Sequence, residues 1–349
     1  MTSLFDVGKS AIQAYRQSLS VTGQNIANIN TEGYVRREAA LEEVAASQGG
    51  INTLANQAGL GVRVSDIRRS FDEFLTSRKL SATAEFEKLN EFVDQLGKAE
   101  EILLPTENDL GEIIGDFFRS LSAVAASPTD LAPRAVAVQK GQALSENIQQ
   151  VHFQLQQLKN GAKSRAEQTA SEFNALVDEL KSLNSKILSA GQSGKTPNSL
   201  LDLRDSLVEK ISTRIGVSVS YSDRGTATIS LGSSGIGPDV LRETTSTKVG
   251  TMVTGGRLQV VLSPGSSNTP TSQAESGLLG GLVSSYAGLD DILGDLNSLV
   301  GRIANEVNAQ HRLGLTLDGI RGGDMFSSAE GVIEPGLANP AGVSLTVDI

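Results

Sequence analysis

The sequence contains no cysteine and no tryptophan, and only two histidines among 349 residues. Without cysteine there can be no disulfide, no thiolate metal site and no cysteine nucleophile. Aromatic residues make up 4% of the chain, too few to line a large aromatic pocket. His152 and His311 stand far apart and outside any HxxxH pattern, so no histidine metal site or Ser-His-Asp constellation is indicated. His152 reads as a helix-flank residue, and His311 as a side chain serving the last carbonyls of a helix. No run of 18 apolar residues exists, so no segment reads as a membrane-spanning helix. The N-terminus lacks the basic-then-apolar layout of a signal peptide. A net charge of −10 argues against nucleic acid, whose phosphates require clustered Lys and Arg.

Two chemical look-alikes need weighing. Ser189 to Thr196 resembles the end of a phosphate-binding loop. However, Ser189 stands where the first Gly is needed, Pro197 follows, and the preceding pattern is helical rather than strand-like, so an inter-helix turn is the better reading. Asp202, Asp205 and Glu209 share one helix face, and their neighbours Arg204 and Lys210 point to a solvated face rather than a cation site. Arg36-Arg37 and Arg68-Arg69 are small basic spots, either solvated or paired with acidic neighbours in an assembly. No catalytic, cofactor-binding or metal-ligating residue is assigned, and no enzymatic activity is expected.

What is present begins at the N-terminus. Phe5, Ile12, Leu19 and Ile26 recur every seven positions, with Tyr15 and Ile29 on the adjoining seam. A strict heptad keeps one apolar stripe facing a partner helix and asks for a coiled coil. The run Ala27 to Arg37 ends the pattern. Asn28 and Asn30 suit a helix end because Asn tolerates left-handed φ, Gly33 offers positive φ, and Tyr34 onward reads as extended chain. Residues 1–37 are expected to be disordered in the free subunit and to fold on assembly.

Residues 38–70 read as loop and short strands, with Gly61 to Ile67 alternating as one strand. A helix from about Ser70 to Pro105 is expected to bury Leu75, Phe86, Leu89, Val93, Leu96 and Leu103. Another, over 110–126, is expected to bury Ile113, Ile114, Phe117, Phe118 and Leu121. Leu144, Ile148, Val151, Leu155 and Leu158 form a seam that Phe173, Val177, Leu180 and Ile187 resume. One helix of about fifty residues would be roughly 75 Å long. A helix follows over 199–215, then the period changes to two: Val217 to Tyr221 and Thr226 to Leu231 form a hairpin around Asp223-Arg224-Gly225. A last helix runs from about Gly277 to His311, and Val343 to Val347 reads as a strand. The expected fold is mainly α with a small β part: an elongated antiparallel bundle of long coiled-coil-like helices over 70–215 and 277–311, a small β subdomain at 216–276, and the start of a further, truncated region at 312–349.

Asn28, Thr31, Gly33 and Tyr34 carry a resemblance to the N-terminal signature of bacterial flagellar axial proteins. Gly115 to Leu121, Asn198 to Val208, and Ile303 to His311 through Gly322-Gly323-Asp324-Met325-Phe326 are similar to stretches of the hook-associated protein 1 (FlgK) family. The resemblance implies a structural subunit joining hook to filament, extracellular, and exported through the flagellar type III channel without a cleaved signal. Its implied partners are copies of itself in a ring, the hook protein, the next hook-associated protein toward the filament, the export apparatus and an export chaperone, with no nucleic acid and no membrane. The family closes with a C-terminal heptad helix that pairs with the N-terminal one. This sequence shows none after residue 311, so a truncated product is expected. A rod or hook subunit, or an exported coiled-coil adhesin, is the alternative.

Overall fold

The structure, a computed structural model, describes residues 4–31, 33–44, 61–104, 109–191, 197–317, 319–330 and 343–347. Residues 192–196, the body of the phosphate-loop look-alike, lie outside the described residues. The chain divides into two compact units. The first comprises Met1–Ala82, Ala175–Thr213 and Val217–Thr247; the second comprises Thr83–Asn174, Arg214–Gly216 and Lys248–Ile349.

In chain order the elements are α1 (Leu4–Ala27), β1 (Arg37–Glu43), β2 (Val62–Arg69), α2 (Glu73–Leu103), α3 (Leu110–Ala126), α4 (Leu131–Gly191) and α5 (Asn198–Arg214). Then come β3 (Val217–Tyr221), β4 (Ala227–Leu231), β5 (Asp239–Arg242), β6 (Thr245–Ser246), β7 (Val249–Thr254), β8 (Arg257–Leu262) and β9 (Thr269–Thr271). α6 (Gly277–Leu313), β10 (Phe326–Glu330) and β11 (Val343–Val347) complete the described chain. The fold is mainly α with a small β part, as the periodicities imply. Helix α4 runs for 61 residues, longer than the fifty expected.

The first unit carries two sheets. β1 and β2 pair antiparallel, with a bulge between Ala40 and Leu41. The expected hairpin forms in register, Val217 opposite Leu231 and Tyr221 opposite Ala227, and extends to the order β3-β4-β5-β6. Strands β7-β8-β9 form a separate sheet in the second unit. The residues expected as one β subdomain over 216–276 are therefore divided between the units.

The second unit is built on an apolar core in which α3 contributes Phe117, α4 Leu144, Ile148, Val151 and Leu155, and α6 Leu289, Leu293, Leu296 and Val300. Phe117 meets Phe326 with ring centroids 5.4 Å apart. α3 begins where Asp109 accepts from the Glu112 amide at 2.6 Å, a side-chain N-cap. Phe118, expected inside, is exposed. The pairing of α4 with α6 is also polar: Lys159, almost fully buried, pairs with Asp290 and lies 4.8 Å above the Tyr286 ring.

Helix α2 reverses its expected face as far as Val93. Leu75, Phe86, Leu89 and Val93 are exposed, while Leu80, Ala84, Glu91, Gln95 and Ala99 are buried. The reason is closeness. A Cβ added at Gly281 of α6 would stand 2.6 Å from the Lys88 carbonyl and 2.9 Å from Glu91 Cβ, so at this crossing α2 meets α6 through slender side chains and Phe86, Leu89 and Val93 point away, while Leu96 and Leu103 further along are half-buried as expected. Gly281→Ala is accordingly expected to lower the melting temperature. Helix propensity favours Ala by about 1 kcal/mol, but forcing the two backbones apart costs about 1–3 kcal/mol, and the backbone oxygen cannot rotate out of the way.

Helix asparagines take the place of an edge strand. Asn174 Nδ2 donates to the Val249 carbonyl (2.7 Å) and its Oδ1 accepts from the Val249 amide (2.9 Å). Asn184 Nδ2 donates to Ala227 O and Glu243 O (2.9 and 2.8 Å), and its Oδ1 accepts from the Ala227 amide (3.1 Å). Asn308 of α6 does the same for Met325 and Phe326. An amide side chain carries one acceptor and two donors, so it can satisfy both backbone groups of a strand residue at once.

Candidate functional site

Helix α1 has two unlike faces. Ala14 and Val21 are buried against the β1–β2 sheet, where Ser10 Oγ also accepts from the Val62 amide at 3.2 Å. On the other side Phe5, Ile12, Tyr15, Leu19, Ile26 and Ile29 all stand free, from 60% exposed for Tyr15 to 86% for Phe5. The buried face uses small residues because the sheet approaches closely; the large residues are left outward. Six large apolar side chains in solvent along so short a segment form a patch of the kind that marks an interaction surface.

The turn after α1 is built by side chains. Asn28 Nδ2 donates to the Gln24 carbonyl (2.9 Å), and Thr31 Oγ1 donates to Asn28 Oδ1 (3.2 Å). Neither Asn28 nor Asn30 adopts the left-handed φ expected of it; Gly33 does, at φ 77°. A Cβ at Gly33 would lie 3.3 Å from Ser206 Cβ of α5, so both its conformation and its clearance favour glycine. The organiser of the turn is a residue that periodicity alone does not single out. Asn25 Oδ1 accepts from the Tyr34 hydroxyl (2.8 Å) and the Arg37 amide (2.9 Å), and its Nδ2 donates to Arg37 O (2.8 Å). Tyr34 therefore folds back on α1. Together with Tyr15, Ile26, Ile29 and Leu41 it lines one open groove of about 710 Å³. The structure thus brings part of the apolar seam and the end of the motif onto one surface, while Phe5 and Ile12 extend the seam beyond it.

Beneath this surface lies a charged cluster that overturns the solvated reading of Asp202 and Asp205 and engages one arginine of each basic pair. Asp202 accepts from Arg37 Nη2 and Arg69 Nε, both at 2.8 Å. Asp205 accepts from Arg69 Nη2 and, at 2.7 Å, from Arg204 Nη2. The Arg69 and Arg204 side chains are only 6% and 4% exposed. Arg204 also donates to the Gly225 carbonyl at 2.6 Å and stacks 4.0 Å over the Tyr221 ring. Burial, reinforced by the charge of Asp205, pushes the Tyr221 hydroxyl well above the ordinary tyrosine range. Arg36 and Arg68 remain exposed, and Glu209 makes only a surface pair with Lys79. The carboxylates are neutralised by guanidinium groups and present no cation site.

His152 sits on the flank of a helix as expected, whereas the ring of His311 serves a carbonyl of the following loop rather than the last carbonyls of its own helix. His152 is half-buried on α4, and burial holds its pKa below the ordinary value. His311 lies in the last turn of α6, its Nδ1 2.6 Å from the Gly323 carbonyl. Among the described residues no cluster of His, Asp or Glu could hold a metal ion, and no helix is long and apolar enough to cross a membrane.

Comparison with known proteins agrees with this geometry. Residues 5–34, which hold the exposed seam and the turn, match the family described as flagella basal body rod protein. The flagellar hook-associated protein 1 of Bacillus subtilis (strain 168) is 28% identical over 96% of this chain and 72% of its own length. That of Salmonella typhimurium (strain LT2) is 26% identical over 95% of this chain and 61% of its own length. The solved structure of the flagellar hook junction protein FlgK from Burkholderia pseudomallei superposes with a TM-score of 0.65 at 25% identity. It covers 73% of this chain, which in turn spans 47% of that one. This chain therefore spans less than two thirds of the Salmonella relative and under half of the solved structure. Residues 96–326, more than half of the chain, match the family described as flagellar hook-associated protein FlgK helical domain, and the chain accordingly belongs to the FlgK family of flagellar hook-associated proteins.

Proposed function

We infer that this chain is a non-enzymatic structural subunit of the bacterial flagellum that joins hook to filament and assembles through α1. The observation that carries this reading is the exposure of all six seam residues while the opposite face of the same helix is buried. Within its own unit the helix has a place only for the narrow face of Ala14 and Val21, too small a contact to hold it ordered until a partner covers the larger apolar face. Burying four heptad positions at about 1.5–3 kcal/mol each offsets much of the cost of ordering the segment. The occupants of the seam are the equivalent helices of neighbouring copies in a ring, with the hook protein on one side and the next hook-associated protein on the other. The subunit reaches its extracellular position through the flagellar export apparatus, with an export chaperone, and without a cleaved signal.

Hydrogen exchange tests the folding step. Backbone amides of residues 4–27 are expected to exchange freely in the purified subunit and to become protected once it is incorporated at the hook end. Strong protection of α1 in the isolated subunit would overturn folding on assembly, and an unchanged pattern in the assembled state would overturn the role of the seam.

A further inference from the structure

We propose that Arg69, with Asp202 and Asp205, is the positioning joint that sets the direction in which the β1–β2 sheet, and hence α1, leaves α5. The assembling arm, residues 4–71, makes little apolar core of its own. Among the described residues, Ala14 and Val21 are its buried apolar side chains, and both face its own sheet. Where the arm meets α5 the contacts are directional. Arg69 donates to two carboxylates on one face of α5, Arg37 reaches the first of them, and Asn198 Nδ2 donates to the Ile67 carbonyl at 2.7 Å. The aromatic contribution is Phe71, edge-on to Tyr221 at 5.4 Å. Apolar burial is non-directional and tolerates sliding. A planar guanidinium held by two carboxylates fixes both distance and angle. Burying such pairs contributes little net stability, so their worth here lies in geometry. In a ring of identical copies, a small error in the exit direction of α1 would be repeated at every subunit and would prevent closure.

The two arginines differ in a way that makes the proposal specific. Arg69 uses Nε and Nη2 on different carboxylates, which a lysine ammonium on a flexible stem cannot reproduce. Arg37 reaches Asp202 through Nη2 alone, and a lysine can replace that single contact.

The role of the joint in ring closure rests on the function proposed above, but its geometry can be tested in the isolated chain. The absence of cysteine allows clean spin labelling. One pair, Glu38→Cys with Lys210→Cys, reports sheet against α5. A second, Lys210→Cys with Arg224→Cys, reports α5 against the β3–β4 hairpin. The first pair is expected to give a single narrow distance in the unmodified background and with Arg37→Lys, and to lose that single distance with Arg69→Lys. The second pair is expected to stay narrow throughout. A narrow first distance in Arg69→Lys overturns the proposal, as does a broad one in the unmodified background. Broadening of the second pair along with the first also overturns it, because the cluster would then be holding the unit together rather than aiming the arm.

Discussion

A subunit carrying Leu19→Asp is expected to fail in assembly while keeping its own fold. Leu19 is 70% exposed on α1, so its removal costs the isolated chain little, and the melting temperature should match that of the parent. In the assembly proposed above the same position would be buried by a neighbouring helix. The leucine contribution of about 1.5–3 kcal/mol disappears, and an unpaired carboxylate is taken out of water at a further cost of several kcal/mol. Since about 1.4 kcal/mol is a tenfold change in equilibrium, each interface weakens by more than about a hundredfold. Every copy in the proposed ring would carry the lesion. A strain with this substitution should build hooks without filaments and should not swim. Gln17→Ala, on an exposed polar part of the helix away from the seam, should swim normally. Swimming by Leu19→Asp would remove the seam from the mechanism.

The second large effect lies in the α4–α6 core. Lys159→Ala is expected to destabilise the second unit by about 3–5 kcal/mol, because it withdraws a cation from beside a carboxylate that is itself mostly buried. The double substitution Lys159→Met with Asp290→Leu should recover most of that loss, since two apolar side chains of similar size need no partner. Denaturant unfolding of the single and double variants separates the readings. If the single substitution costs under about 1 kcal/mol, the value typical of a surface pair, the lysine is not held as its burial implies.

Much of the helical scaffold can be read from spacing alone. α3 occupies the residues its apolar stripe predicts, and the α4 seam buries Leu144, Ile148, Val151 and Leu155. The hairpin around Gly225 forms where it is expected, with Gly225 at φ 85°. Spacing fails where packing distance decides. On α2 the apolar period is genuine, yet around Gly281 α6 comes so close that a slender residue, Glu91, faces it, and Phe86 and Val93 face out. It fails again where partners are remote. Arg69 and Arg37 lie 133 and 165 positions from Asp202, so local charge pattern reads the carboxylates as solvated and names no partner for the arginines. The seam of α1 is visible as a heptad because its period is strict, whereas Asn25, which ties the turn together, looks like any other polar helix residue. Its signal lies in chemistry: a half-buried amide on an amphipathic helix needs a backbone to satisfy it.

Asn25, Asn174, Asn184 and Asn308 all use the same device, a side-chain amide that reads a neighbouring backbone as a strand would. Loss of ammonia from any of them changes one heavy atom, yet it replaces a donor by a second acceptor aimed at a carbonyl and adds a negative charge. Asparagine is among the residues that heat and time degrade. Chemical ageing, as distinct from unfolding, therefore has four defined places at which to part a strand from its helix.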